Sequence, residues 1–353
     1  LFCHSRPIVM ASILPWAAIT ATQPLVWVAL GVAAAVSMPL LLGSRRRRES
    51  LSGKHVLITG GSEGVGLEVA KIAAARGARV SLVARTMSKL HAARDELASS
   101  APGAAVGVFS GDVGDGAALG AAIEQAESQL GPVDVCIAAA GAAMPKYFEE
   151  LRIADYERMM TVNYYGVLHA ARHVLPKMAE RSAADPSVTP HFVAVASMVA
   201  AVPFIGYAAY APSKAACRSL LDVLRNEYAD TAVQLHIAFP PDMDTPGFQK
   251  EQETKPYETR HIWPEMFNEL FPPDKVASRL LDDLLDGRYF LGSPDLFGDL
   301  LVTRAWGHYP RARPLLEAAL APLFVGLHCV MVWMADRVVK QRKHHGGLAT
   351  QGG

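Results

Sequence analysis

The chain has 353 residues, room for one large α/β domain plus extensions, and its 34 Lys+Arg balance 34 Asp+Glu, so no global field points to nucleic acid. Four cysteines (Cys3, Cys136, Cys217, Cys329) lie without CxxC spacing, which excludes a disulfide framework and a zinc site and reads as free thiols in a reducing compartment. A hydrophobic content of 51% is high for a soluble domain of this size and points to membrane contact.

Residues 1–50 read as an N-terminal hydrophobic anchor with a basic flank. The stretch from Leu25 to Gly43 carries no charge and approaches the ~20 residues a bilayer helix needs. Trp16 and Trp27 suit an interface, and Arg45 to Arg48 follow at once. The positive-inside rule puts these arginines, and the chain after them, in the cytosol. The alternative is a cleaved signal or transit peptide. A basic cluster that follows the apolar run, rather than preceding it, favours a retained anchor.

Residues 51–292 read as a doubly wound parallel sheet of the Rossmann type, six strands alternating with helices. The first strand, His55 to Thr59, runs into Gly60-Gly-Ser-Glu-Gly-Val-Gly66 and a helix. Gly60, Gly64 and Gly66, with Ser62 and Val65 between them, let a backbone approach a pyrophosphate at a helix N-terminus. The second strand, Arg79 to Ala84, ends in Arg85 where an NAD-selective site usually carries an acid. This favours NADPH, with Lys89 as a helper at the 2′-phosphate and Glu63 as a discordant negative charge. The third strand, Ala105 to Ser110, leads to Asp112 and Val113. Asp112 reads either as an acceptor for the adenine amino group or as a local cap. The fourth, Val133 to Ala138, ends in small residues through Gly141, which let a cofactor lie against it.

A long helical stretch from Ile153 to Arg181 contains Asn163, a poor helix-interior residue unless its side chain finds a partner. The expectation is a kink and a bound water on a proton path to Lys214, or else an ordinary polar contact in the core. The strand from His191 ends in Ser197, whose hydroxyl falls at the ligand crevice. Tyr210 and Lys214 stand four apart on one helical face. A cation beside a phenol favours the phenolate and lowers a pKa that is ordinarily about 10. The sixth strand, Val233 to Phe239, runs into a Pro-rich turn where Thr245 reads as a bond to the nicotinamide carboxamide. Residues 248–271 read as a flap over the site. Asp274 to Leu285 reads as an amphipathic helix, and Tyr289 to Leu291 as a last strand.

Residues 293–353 read as a membrane-associated segment and basic tail. Leu315 to Ala335 is apolar but for Glu317 and His328, with basic residues on both sides. Two cytosolic flanks argue for an interfacial or re-entrant hairpin over a simple span. A core or dimer helix is the plainer alternative, which leaves a homo-oligomer open.

The set Gly60/Gly64/Gly66, Asn163, Ser197, Tyr210 and Lys214, in this order, resembles the short-chain dehydrogenase/reductase family over residues 52–290. The resemblance implies hydride transfer between NADPH and a carbonyl. Tyr210 would give the proton and Ser197 orient the oxygen. Lys214 would lower the Tyr210 pKa and hold the nicotinamide ribose, and Asn163 would carry a water. Pro240-Pro-Asp-Met-Asp-Thr-Pro-Gly-Phe248 and Lys255-Pro-Tyr-Glu-Thr-Arg260 resemble the members that reduce long-chain keto-base lipids in sphingolipid synthesis, on the cytosolic face of the endoplasmic reticulum membrane. Ala138-Ala-Ala-Gly141 departs from the family's Asn-Asn-Ala-Gly. Other membrane-bound lipid dehydrogenases, of retinol or steroids, share the catalytic set. A non-catalytic NADPH-binding scaffold would carry a broken set, and here all four residues are present.

Overall fold

The computed structural model describes residues 49–261 and 270–294, with positions 330, 333, 334 and 337 beyond them. The expected anchor at 25–43, the arginines at 45–48, most of the C-terminal apolar segment and part of the expected flap lie outside the described residues. The chain divides into two compact units, residues 1–45 with 311–323, and residues 46–310 with 324–353; the described residues belong to the second. Among them no helix is long and apolar enough to cross a membrane.

Seven strands form one parallel sheet: β1 (His55–Thr59), β2 (Arg79–Ala84), β3 (Val106–Ser110), β4 (Val135–Ala138), β5 (His191–Val195), β6 (Gln234–Ala238) and β7 (Phe290–Leu291). Their spatial order is β3-β2-β1-β4-β5-β6-β7. The helices between them are α1 (Gly64–Ala75), α2 (Met87–Ser100), α3 (Gly116–Leu130), α4 (Ile153–Met159), α5 (Gly166–Ala184), α6 (Tyr210–Glu227), α7 (Pro246–Gln252), α8 (Tyr257–His261) and α9 (Pro273–Leu285).

Both faces of the sheet are covered, so its strands are apolar on both sides. Val56 and Ile58 of β1 join a core with Val69 and Ala73 of α1, Leu90 and Leu97 of α2, and Leu280 and Leu284 of α9. Leu57, between them, points the other way, into a core with Leu119 and Ile123 of α3, Val174 of α5 and Leu221 of α6. Helix starts follow local chemistry. Asp115 caps α3 by accepting from Ala117 N and Ala118 N at 2.9 and 3.1 Å. Pro273 opens α9, where a missing N–H costs nothing.

This packing positions the site. Crossovers leave β1 toward β2 and leave β4 toward β5, on opposite sides. The loops after these two strands therefore part, and a crevice opens at their carboxyl ends.

Candidate active site

The Gly-rich turn closes over the end of β1. A Cβ on Gly60 (φ 70°) would stand 2.7 Å from the Ala140 backbone, and one on Gly66 would stand 2.4 Å from the Gly60 carbonyl. Glycine is needed at both because the turn presses against the end of β4 and α1 starts directly over it. Glu63 precedes α1 without a side-chain cap, so the first N–H groups of the helix are available to an anion. Ser62 is half-buried in the turn, and Val65 packs against the core. The small residues opposite, Ala139 to Gly141, complete a cradle that side chains would fill. The turn and cradle fit a dinucleotide.

Glu63 does not face that cradle as an unpaired charge. Its carboxylate accepts from Lys89 Nζ at 2.8 and 2.9 Å. The ammonium expected to help at a 2′-phosphate is thus engaged by Glu63 in an exposed pair. Arg85 is exposed just past β2, and no carboxylate among the described residues pairs with it. Asp112 is exposed and accepts from Gly114 N at 2.9 Å, so it caps its own turn with one oxygen. Val113 is buried, and its carbonyl accepts from His169 at 2.9 Å.

Ser197 leaves the sheet two residues after β5 and caps a short 3-10 turn, Met198–Ala200. Its hydroxyl stands near enough to the phenol of Tyr210, the first residue of α6, to act on that phenol's pKa. Burial pushes the Tyr210 phenol well above its ordinary value; the Ser197 hydroxyl pulls it down, and the Glu251 and Asp242 carboxylates push it up. Lys214, one turn along, is buried and donates from Nζ to the Val195 carbonyl at 2.8 Å. Burial pushes its ammonium below the ordinary lysine range. The expected Lys214 hold on the phenol is therefore not what governs Tyr210 here. The ammonium is turned to β5, 5.9 Å from the centre of the Tyr210 ring.

Asn163 sits in a π-helical turn, Met160–Tyr165, between α4 and α5. Its Nδ2 donates to the Ala142 carbonyl and to Ser213 Oγ, both at 2.9 Å, and its Oδ1 accepts from Ala142 N at 2.9 Å. Both amide hydrogens are thus spent on protein. The side chain is a strap from the end of β4 to α6. A Cβ on Gly141 would meet Lys214 Nζ at 3.1 Å and Asn163 Oδ1 at 3.2 Å, so the strap and the lysine close on this glycine.

Thr245 caps α7, accepting from Phe248 N at 3.1 Å. Its O–H stays available to donate. The Gly64 turn faces it, since a Cβ there would lie 3.4 Å from Thr245 Cγ2. Sequence reasoning missed Tyr207, Ser213, Glu251 and Lys255 as site residues. Ser213 Oγ ties Asn163 to the Tyr210 carbonyl. Tyr207 stacks at a tilt on Tyr210, ring centres 5.7 Å apart. Only their closeness to Tyr210 and to the Pro-rich turn was a signal.

A parallel doubly wound sheet with a Gly-rich turn after β1 and a Ser-Tyr-Lys set at the ends of β5 and α6 defines a nicotinamide-type oxidoreductase scaffold. The chain belongs to the short chain dehydrogenase family, which it matches over residues 54–256. It is 36% identical over 243 residues to the 3-ketodihydrosphingosine reductase of Bos taurus, covering 68% of this chain and 71% of that one. A reductase of the same name from Dictyostelium discoideum is 31% identical over 287 residues, 77% and 84% of the two chains. Another from Neurospora crassa is 30% identical over 329 residues, 89% and 90%. Levodione reductase shares the fold, with a TM-score of 0.63 at 23% identity over 69% of this chain and 97% of that one. The 3-ketoacyl-(acyl-carrier-protein) reductase of Brucella melitensis, complexed with NADH, gives 0.60 at 26% identity over 70% and 98%.

Proposed function

We propose that this chain reduces the 3-keto group of 3-ketodihydrosphingosine to the alcohol, with NADPH as reductant. The observation that carries it is the Ser197–Tyr210–Lys214 set standing beside the Gly-rich turn, in a chain whose curated relatives are named for this reaction along most of their length. When bound, the nicotinamide supplies the hydride. Tyr210 holds the proton that the carbonyl oxygen takes as charge develops on it. Ser197, beside the same phenol, orients that oxygen and donates to it. Lys214 and Thr245 are the residues placed to hold the nicotinamide half, and Arg85 the ribose of the adenine half. An exposed arginine without a carboxylate partner among the described residues supports NADPH over NADH.

The same reading places the protein at the endoplasmic reticulum membrane, with this domain in the cytosol. The uncharged run before four arginines supports it. A long acyl tail favours the bilayer by about 0.8 kcal/mol per buried CH₂, so an anchored enzyme meets its substrate at the surface. The decisive experiment is turnover by the purified chain in detergent, on 3-ketodihydrosphingosine against retinal and a keto-steroid, with NADPH and NADH in parallel. Preferred oxidation of NADPH by the keto base is expected. Turnover of retinal or steroid alone overturns the substrate reading. For location, the protein should stay in the membrane fraction through a high-salt wash, and release by salt alone refutes the integral anchor.

A further inference from the structure

The two stretches that set this chain apart, the Pro-rich turn after β6 and the segment from Lys255, meet in one cluster beside the proton donor. Lys255 Nζ lies 3.5 Å from Glu251 Oε1 and 3.6 Å from Asp242 Oδ2. It stands 4.8 Å from the centre of the Phe248 ring and 5.9 Å from that of Tyr207. The lysine and glutamate side chains are 6% and 12% exposed, while Asp242 is 59% exposed. Tyr207 donates its phenol hydrogen to Glu251 Oε1. The contacts of Glu251 with Tyr207 and Lys255 both fall on Oε1, so among the described residues Oε2 remains open to a further donor.

Two carboxylates face one ammonium, so the cluster carries an excess negative charge. It lies one ring away from Tyr210, and both carboxylates push the Tyr210 phenol upward. An uncompensated anion next to a group that must pass through a phenolate opposes the reaction. The charge makes sense if the substrate brings a cation. In the proposed substrate an ammonium sits on the carbon next to the ketone, and bond lengths put it ~3 Å from the ketone oxygen. With that oxygen on Ser197 and Tyr210, the ammonium sits beside the Tyr207 ring that links Tyr210 to Glu251.

We propose that Glu251 and Asp242 recognise the substrate's ammonium group and so select an α-amino ketone over a neutral one. The inference rests on the function proposed above. It also links binding to chemistry. A bound cation cancels the carboxylates' push on Tyr210 at the moment the phenol gives up its proton. Burial raises the Glu251 carboxyl and Lys255 opposes it; a second cation favours the carboxylate further.

The test compares kcat/KM for 3-ketodihydrosphingosine with that for its N-acetyl derivative, which keeps the ketone and lacks the charge. Wild type should favour the free amine by at least about tenfold. Glu251→Gln should cut that ratio by about tenfold, and Asp242→Asn by several-fold, both through the KM of the amine. A structural defect slows both substrates and leaves the ratio alone. Asp242 is exposed, so D242N decides if E251Q does not fold. A wild-type ratio near one, or a ratio unchanged in the folded variants, overturns the inference and leaves the reaction standing. Failure of wild type to reduce either ketone overturns the reading beneath it as well.

Discussion

Tyr210 is where a single atom decides most. Its phenol is the acid that stands beside Ser197, and removing it leaves the ketone oxygen without a proton donor. Tyr210→Phe should lower kcat by about a hundredfold or more, while the affinity for NADPH, followed by fluorescence titration, changes by a few-fold at most. Near-normal turnover in that variant excludes the assigned role. The residue types and their spacing were legible, because four positions along a helix return to one face. The partner of Lys214 was not. Its ammonium reaches the Val195 carbonyl, 19 residues back on a neighbouring strand, and no helical period reports that contact. Glu63 and Lys89 teach the same lesson: two charges read separately prove to be each other's partners.

Among the elements, the break between α4 and α5 is the most informative. One continuous helix was the natural reading of residues 153–181, and a kink at Asn163 was foreseen from its poor fit to a helix interior. At that point the helix takes a π-helical turn, which widens the backbone and aims the amide at Ala142 and Ser213. Asn163→Ala would leave the N–H and C=O of Ala142 without this partner, at roughly 1–3 kcal/mol for each buried group left unmade. We expect the unfolding free energy to drop by about 3 kcal/mol, read from the urea midpoint at constant m value. A drop below about 0.5 kcal/mol would show that the strap carries no stability. Strands β1 and β2 match the sequence reading residue for residue. The fifth is shorter than expected, because Ser197 leaves the ladder to cap the turn that follows.

Taken whole, the domain's buried histidines give its stability a pH dependence below neutrality. His236 lies fully inside, between His191 Nδ1 at 3.0 Å and the Arg288 carbonyl at 2.6 Å, and burial first, then His191, lowers its pKa to about 3. His55 is also depressed, chiefly by burial. An unfolded histidine takes a proton near pH 6.5. Between that pH and about 3 the unfolded chain binds more protons than the folded one, so stability is full above pH 6.5 and falls as the pH drops. The slope for His236 is about 1.4 kcal/mol per pH unit. Glu49, held low chiefly by its bond to His191, adds loss of the same sign at still lower pH. Thermal unfolding followed from pH 7.5 to pH 5 should show a melting temperature that falls steadily below pH 6.5. A flat profile over that range would refute the account.

The order of strands and helices, the Gly-rich turn and the class of chemistry were all readable from the chain alone. They rest on local patterns: short apolar runs closed by glycines, and a tyrosine and lysine one helical turn apart. What packing decided is who stands next to whom. The sheet order opens the crevice between β1 and β4, Asn163 finds partners 21 and 50 residues away, and Lys255 settles between two carboxylates and two rings beside Tyr210. Such contacts join side chains far apart in sequence, and a periodic pattern holds no record of them. They exist because seven strands and their covering helices can bury both apolar faces in this arrangement.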